Sequence, residues 1–460
     1  MSDDNGFREL LENAAQRGIA YRETIGDRSV APTPNAVAAV DRFIEPLPEN
    51  GTDDADTLAL LDEVGSPASI AVAGPRFFGF VIGGSLPVTV ASNWLSAAWD
   101  QNVCMHEVTP ATAKLEQVAL DWMIELFGLP AHTGAGFVTG TTVANFTALA
   151  AARHRVYEQV GWNVESDGLI GAPDISLIVG NEAHPTLFKS LGMLGLGRDR
   201  VVRVPTDDQG RMITAEIPAI DGPTIVCTQA GNINTGAFDP VGEICDLVKP
   251  AGAWVHVDGS FGLWAAASNK YSYLTDGMER ADSWATDAHK GLSVPYDSGI
   301  AFVRDASVLA ASMAITADYL ITDSDFRNPS DYTPELSRRG RGVDVWAALR
   351  TLGRSGVERL VDGYCGHARR FGEGFAAAGF DVLNDVVLNQ VLVSFGDDAK
   401  TREVIDAIQQ DGTCWCGATV WQGRVAMRIS VSSWATTEAD VEKSLHAMIA
   451  IARRLTDSSA

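Results

Sequence analysis

The chain has 460 residues, 46% apolar and 20% charged, with a formal net charge of −24. That is apolar material enough for a large core without disulfide or metal staples, and so acidic a chain is expected to bind neither nucleic acid nor an anionic membrane surface, both of which select basic patches. Six scattered cysteines, only Cys414 and Cys416 close together, match neither zinc-ligand nor redox-motif spacing and read as free thiols in a reducing compartment.

The start, Met1-Ser2-Asp3-Asp4-Asn5, lacks the basic-then-apolar order of a secretory signal. No apolar run approaches the ~20 residues that span a bilayer, so a cytoplasmic protein is expected. Residues 1–85 mix helical stretches with breaks at Pro32, Pro34, Pro46 and Pro48 and read as an N-terminal helical arm. Leu115, Val118, Ala119, Trp122, Met123, Leu126 and Phe127 recur with helical period, and Gly128 stands where a C-cap is expected.

The middle of the chain alternates strands with helices. Ile175–Val179, Thr224–Thr228, Trp254–Asp258 and Gly299–Val303 are short apolar runs of the kind buried on both faces of a parallel sheet, and Val143–Arg155 and Val241–Val248 are helical. The alternation predicts an α/β fold, with a large domain over 86–355 built on a mainly parallel sheet and its ligand site beyond the carboxyl ends of the strands. The polar stretch Thr322–Pro334 reads as a mobile loop. A helical run, Val343–Leu352, leads into a smaller C-terminal α+β domain over 356–460, with strands at Gln390–Phe395 and Arg424–Val431.

Four places carry candidate chemistry. Gly140, Thr141 and Thr142 open the Val143–Arg155 helix, where backbone N–H groups and hydroxyls suit a phosphate; an ordinary N-cap is the other reading. His184 follows the Ile175–Val179 strand, where it can stack on an aromatic cofactor or serve the fold. Asp258 ends its strand beside Ser260, and a buried carboxylate there needs a cationic partner such as a protonated pyridine, unless it caps the following turn. Lys290, directly after His289, is a candidate Schiff-base amine. Alone each signal is weak; together they describe a pyridoxal 5′-phosphate (PLP) site. The eight histidines show no HExxH-like pattern, and no metal is expected.

From about Gly74 to Met448 the chain resembles the group II PLP-dependent amino acid decarboxylases, which include aromatic-L-amino-acid and glutamate decarboxylases. The motifs are His256-Val-Asp258-Gly-Ser-Phe-Gly, Asp282-Ser-Trp-Ala-Thr-Asp-Ala-His289-Lys290, Pro295-Tyr-Asp297-Ser-Gly, Gly236-Ala-Phe-Asp239-Pro240 and Ser337-Arg338-Arg339-Gly-Arg341. The resemblance implies a fold-type-I transferase-like architecture and a homodimer with an active site shared between subunits. It also implies roles: Lys290 as the Schiff-base lysine, Asp258 at the pyridine nitrogen, His184 stacked on the ring, Gly140, Thr141, Thr142 and His289 around the phosphate, with Asn232 and Ser260 near the cofactor. Tyr332 is the counterpart of a loop tyrosine that reprotonates the substrate α-carbon and is replaced in aldehyde-forming relatives. Gly291 and Ser260 depart from the family's usual residues, as do Val81, Asn102 and Cys104 on the substrate side, which implies a pocket less suited to a large indole or catechol. The expected activity is decarboxylation of an L-amino acid to amine and CO₂. The alternatives are another PLP reaction on the same fold (aldol-type cleavage, aldehyde-forming oxidative deamination or transamination) or a non-catalytic PLP-binding protein.

Overall fold

A computed structural model describes residues 4–315 and 326–457. The chain forms two compact units, one of Gly83–Arg369 with Leu383–Leu392, the other of Met1–Ile82, Arg370–Val382 and Val393–Ala460.

The first unit is built on seven strands: β1 (Gly134–Val138), β2 (Ser176–Gly180), β3 (Val202–Val204), β4 (Thr224–Gln229), β5 (Trp254–Asp258), β6 (Ser283–Asp287) and β7 (Gly299–Val303). Their order is β1-β7-β6-β5-β4-β2-β3. β3, β2, β4, β5 and β6 are parallel neighbours, while β7 runs antiparallel to both β6 and β1. The sheet is therefore mainly parallel, as expected, with one reversed strand. The carboxyl ends of β4, β5 and β6 share an edge, and the turns after them carry Asn232, Asp258 to Ser260, and Asp287 to Lys290.

Sequence periodicity overlooks β1, β3 and β6. β6 reads Ser-Trp-Ala-Thr-Asp, too polar for a buried run, yet all five residues are buried. Its polar atoms are bonded inside the sheet: Thr286 Oγ1 donates to Gly259 O at 2.9 Å, and Ser283 Oγ meets both Trp254 and His256. A buried hydroxyl with partners costs little, whereas one without costs about 1–3 kcal/mol.

The helix Thr141–Glu158 lies against this sheet. Ala144, Ala148, Leu149, Ala151 and Ala152 are fully buried and pack with Val179, Ile225, Ala285 and Ala301 from four strands. A helix enclosed this completely needs no polar stripe, and small side chains let its backbone approach the strands. Its first turn is thereby fixed beyond the end of β1.

A second sheet is formed by β8 (Asp381–Val382), β9 (Gln390–Ser394), β10 (Gly417–Trp421) and β11 (Arg424–Ser430) in the order β10-β11-β9-β8, with β8/β9 and β10/β11 antiparallel. Within the second unit the N-terminal stretch is tied to the C-terminal one by the buried Arg76. Its Nε donates to Thr413 O at 2.7 Å, its Nη2 to Gly26 O at 2.8 Å, and its Nη1 meets Asp440 at 3.2 Å. Phe77 stacks on Trp415. The helical run Arg341–Ala377 is interrupted by Gly353, whose φ of 61° takes it out of the helix.

Of the stretch expected to be a mobile loop, residues 322–325 lie outside the described residues. The remainder is anchored, a correction to the expectation. Phe326 stacks on His106 with ring centroids 4.1 Å apart, the His106 N–H donates to Asn328 Oδ1 at 3.2 Å, and the Ser330 N–H donates to Cys104 O at 3.0 Å. Arg327 joins Arg338 on the carboxylate of Glu116, which lies fully buried in the helix Pro110–Leu126. Asn102 Oδ1 accepts from the Arg338 N–H at 3.0 Å. Local polarity predicts mobility here because the partners are more than two hundred residues away in sequence. All six cysteines are buried and unbonded. No helix among the described residues is long and apolar enough to cross a membrane.

Candidate active site

Lys290 sits on a single helical turn, Ala288–Gly291, directly after β6. Its Nζ is 3.0 Å from Asp287 Oδ2, an i,i+3 ion pair, and His289 Nε2 lies 3.5 Å from the same oxygen. Burial alone would push the Asp287 carboxyl up; the Lys290 ammonium and His289 hold it below the usual carboxylate range. His289 Nδ1 accepts the Ser298 N–H at 3.2 Å, which leaves Nε2 to carry the ring proton. Its ring packs on Tyr296, and burial lowers its pKa and favours the neutral form.

Two glycines make this geometry possible. Gly299 pairs with both Val138 and Asp287 in the sheet, and a Cβ there would lie 2.4 Å from Gly140 Cα. Only glycine lets the Gly140 turn lie across the strand ends. Gly291 faces the Trp264 indole, where a Cβ would sit 2.2 Å from the ring, and Trp264 Nε1 donates to Asp287 O at 3.0 Å. The space that a bulky residue after the lysine would occupy is thus filled by Trp264. Gly291→Val is expected to cost about 3 kcal/mol by overpacking. Adding Trp264→Ala should recover part of that loss in thermal unfolding, and a double variant no better than the single one would refute the pairing.

Asp258 is buried at the end of β5. Its Oδ2 accepts from Asn145 Nδ2 at 3.0 Å, and its Oδ1 accepts from the Ser260 hydroxyl at 3.1 Å and the Ser260 N–H at 3.3 Å. Behind Asn145, His256 Nε2 lies 3.0 Å from Asn145 Oδ1, His256 Nδ1 lies 2.8 Å from Ser283 Oγ, and Trp254 Nε1 donates to that same Oγ at 2.9 Å. Burial drives the His256 pKa down to about 4, so the ring is neutral at physiological pH.

Gly140 precedes the 18-residue helix that Thr141 opens. A Cβ on Gly140 would lie 3.6 Å from both Asp287 Oδ1 and His289 Cε1, which places this helix start against the Lys290 turn. The Ser298 hydroxyl is buried without a hydrogen-bond partner, and the buried Thr141 hydroxyl faces the Asp287 carboxyl, which it helps to hold down. Thr142 contributes its carbonyl to Ser190 Oγ.

Two expected residues have polar atoms engaged elsewhere, and a third packs on the core. His184 caps the helix Pro185–Met193, its Nδ1 accepting the Thr186 N–H at 3.3 Å and lying 2.7 Å from Thr186 Oγ1. Asn232 is fully buried in its own turn, with Oδ1 accepting from the N–H groups of Asn234 and Thr235. Tyr332 ends the short turn Pro329–Tyr332, with Arg327 over its ring at 4.3 Å and its side chain against the core around β1 and the Thr141–Glu158 helix. Asp239, the carboxylate of the Gly236–Pro240 motif, holds the fold together rather than facing the site. It accepts the N–H groups of Met212 and Gln229, each at 2.7 Å.

Sequence reasoning missed Asp287, Ser298, Asn145, His256 and Ser283. Asp287 was findable, since a carboxylate three residues before a lysine on one turn is an ion-pair spacing. Asn145 lies one helical turn after Thr141, on the face that Thr141 presents.

The residues fit a pyridoxal phosphate. Two buried hydroxyls near His289, Thr141 at a long helix's N-terminus and Ser298 without a partner, suit a phosphate. A carboxylate with donors on both oxygens suits a protonated pyridine nitrogen, and an amine held by a counter-ion suits an aldehyde.

Comparisons with known proteins agree. The pyridoxal-dependent decarboxylase conserved domain matches residues 66–396. The acidic amino acid decarboxylase GADL1 of Bos taurus is 32% identical over 307 residues, which are 64% of this chain and 58% of that relative. The crystal structure of Oryza sativa TDC with PLP and tryptamine superposes with a TM-score of 0.90 at 22% identity, covering 99% of each chain. The crystal structure of Rhodiola rosea 4-hydroxyphenylacetaldehyde synthase superposes with a TM-score of 0.86 at 21% identity, covering 98% of each.

Proposed function

The chain belongs to the pyridoxal-dependent decarboxylase family, and on that premise we propose that it removes the α-carboxylate of an L-amino acid as CO₂ and releases the amine. The observation that carries this reading is the Lys290–Asp287 pair beside the buried hydroxyls of Thr141 and Ser298, with Asp258, hydrogen-bonded on both oxygens, on the neighbouring strand.

When bound, the cofactor supplies an electron sink for the electrons left behind by departing CO₂. The chain's residues do the rest. Thr141, Ser298, His289 and the helix start at Gly140 hold the phosphate and so fix the ring's position. Lys290 Nζ would hold the cofactor's aldehyde and, paired with Asp287, would supply an amine base at the site. Asp258 holds a proton at the ring nitrogen. His184 covers the ring face, and His184 or Tyr332 delivers the proton that replaces the carboxylate on the α-carbon. We further propose a cytoplasmic homodimer whose site draws on both subunits, consistent with six unbonded cysteines.

One observation favours a second reading. Tyr332 lies beneath Arg327 and packs on the core, and a site without a loop tyrosine at the α-carbon is suited to aldehyde formation. A panel of L-amino acids offered to the PLP-loaded protein separates the two. Equimolar CO₂ and amine support decarboxylation; aldehyde and ammonia, or a keto acid, refute it. If tryptophan and DOPA are clearly the best substrates, the expectation of a pocket unsuited to them falls.

A further inference from the structure

The donors and acceptors behind Asp258 can be ordered from one end. Trp254 is an indole and can only donate, so its Nε1–H must point at Ser283 Oγ. Ser283 is fully buried, and its hydroxyl has one hydrogen to place. Among the described residues its remaining partner is His256 Nδ1, at 2.8 Å. If Ser283 donates there, neutral His256 carries its proton on Nε2 and donates to Asn145 Oδ1. The Asn145 amide then has its Nδ2–H groups toward Asp258.

The opposite polarity fails on two counts. Ser283 would receive two donors and leave its own hydrogen buried without an acceptor, and Asn145 would turn its carbonyl oxygen onto a carboxylate. Each is a buried unsatisfied or repulsive contact of the kind that folded proteins avoid.

We infer that Trp254, Ser283, His256 and Asn145 form a one-way hydrogen-bond chain that keeps the Asn145 amide N–H on Asp258 and so orients that carboxylate toward the cofactor's ring nitrogen. Ser283, His256 and Asn145 are positioning residues: none needs to touch the cofactor, and each acts through Asp258. The inference rests on the reading that Asp258 meets the ring nitrogen.

The hydroxyl of Ser283 is the link to cut, because it is three hydrogen bonds from Asp258. Without it, His256 Nδ1 loses its donor, the imidazole can take its proton on Nδ1, and the Asn145 amide can turn over. Apoprotein carrying Ser283→Ala is titrated with PLP and with the analogue that has C–H in place of the ring nitrogen, with thermal unfolding as the control on folding. The chain predicts PLP binding weaker by roughly tenfold, unchanged binding of the analogue, and recovery in Ser283→Thr, which keeps the hydroxyl. Equal losses for both ligands would reduce Ser283 to a packing residue, and no loss for either would remove the chain from cofactor binding. Both results overturn the inference while leaving the cofactor reading intact. If the wild-type protein binds PLP no better than the analogue, the Asp258 assignment itself falls, and the inference with it.

Discussion

Lys290→Ala is expected to lower turnover by roughly a thousandfold or more, because the covalent attachment and the returning base vanish together. Borohydride treatment of the loaded wild-type protein should fix the cofactor on the peptide containing Lys290. The variant should yield no such adduct and should lose the long-wavelength absorption of the bound cofactor. The structure adds a complication that a surface lysine would not bring. Lys290 is the counter-ion of Asp287, a buried carboxylate with the uncharged His289 ring 3.5 Å away. Truncating the lysine therefore strands a charge, and part of any loss in Lys290→Ala reflects stability. Lys290→Arg separates the two effects, since arginine keeps a cation beside Asp287 but forms no Schiff base. Its thermal stability should stay near wild type while the adduct and the turnover are lost. An adduct that persists at full level in either variant refutes the assignment of Lys290.

Glu116→Ala is expected to destabilise the protein by about 3–5 kcal/mol. Glu116 Oε1 and Oε2 each take an Arg338 nitrogen at 2.8 Å, a bidentate fork, and Arg327 Nη1 adds a third contact at 3.3 Å. Both Glu116 and Arg338 are buried, so removing the acid leaves a guanidinium with no counter-charge. Burial would push the Glu116 carboxyl up, but Arg338 and Arg327 together hold it below its ordinary value of 4.5. A depressed acid adds stability that is full above the unfolded value and is lost as pH falls through the folded one. The stability gap between wild type and Glu116→Gln in urea should thus be constant at neutral pH and shrink only below about pH 4.5. A gap that widens on acidification would contradict the pairing. Because Arg327 and Arg338 bracket the turn bearing Tyr332, the same variants should loosen that turn and expose its backbone N–H groups to hydrogen exchange.

Much of this molecule is legible in its residues. β5 and β7 fall where apolar runs end at Asp258 and Val303, and the helix Val241–Val248 has the bounds its periodicity suggests. Such elements are buried by their own side chains, so composition reports them directly. β6 escapes because its serine, threonine and aspartate are satisfied by partners on β5 and in the following turn, which no local window contains. The site follows the same division. Lys290 and Asp258 stand out through their strand-end positions, whereas Asn145 and Ser283 acquire meaning only when the sheet brings them to His256. The anchored turn at Phe326–Tyr332 shows the converse error: polarity reads as freedom until Glu116, far away in the chain, is placed opposite Arg327.

The pairing of β5 with β6 sets His256 opposite Ser283 and Asp258 opposite Ala285. A slip of one residue would carry the serine to the other face of the sheet. A ligand that binds only the correctly paired sheet would favour that pairing over a slipped one by mass action, so the lacing of these two strands and the grip on the ring would be measured by the same titration.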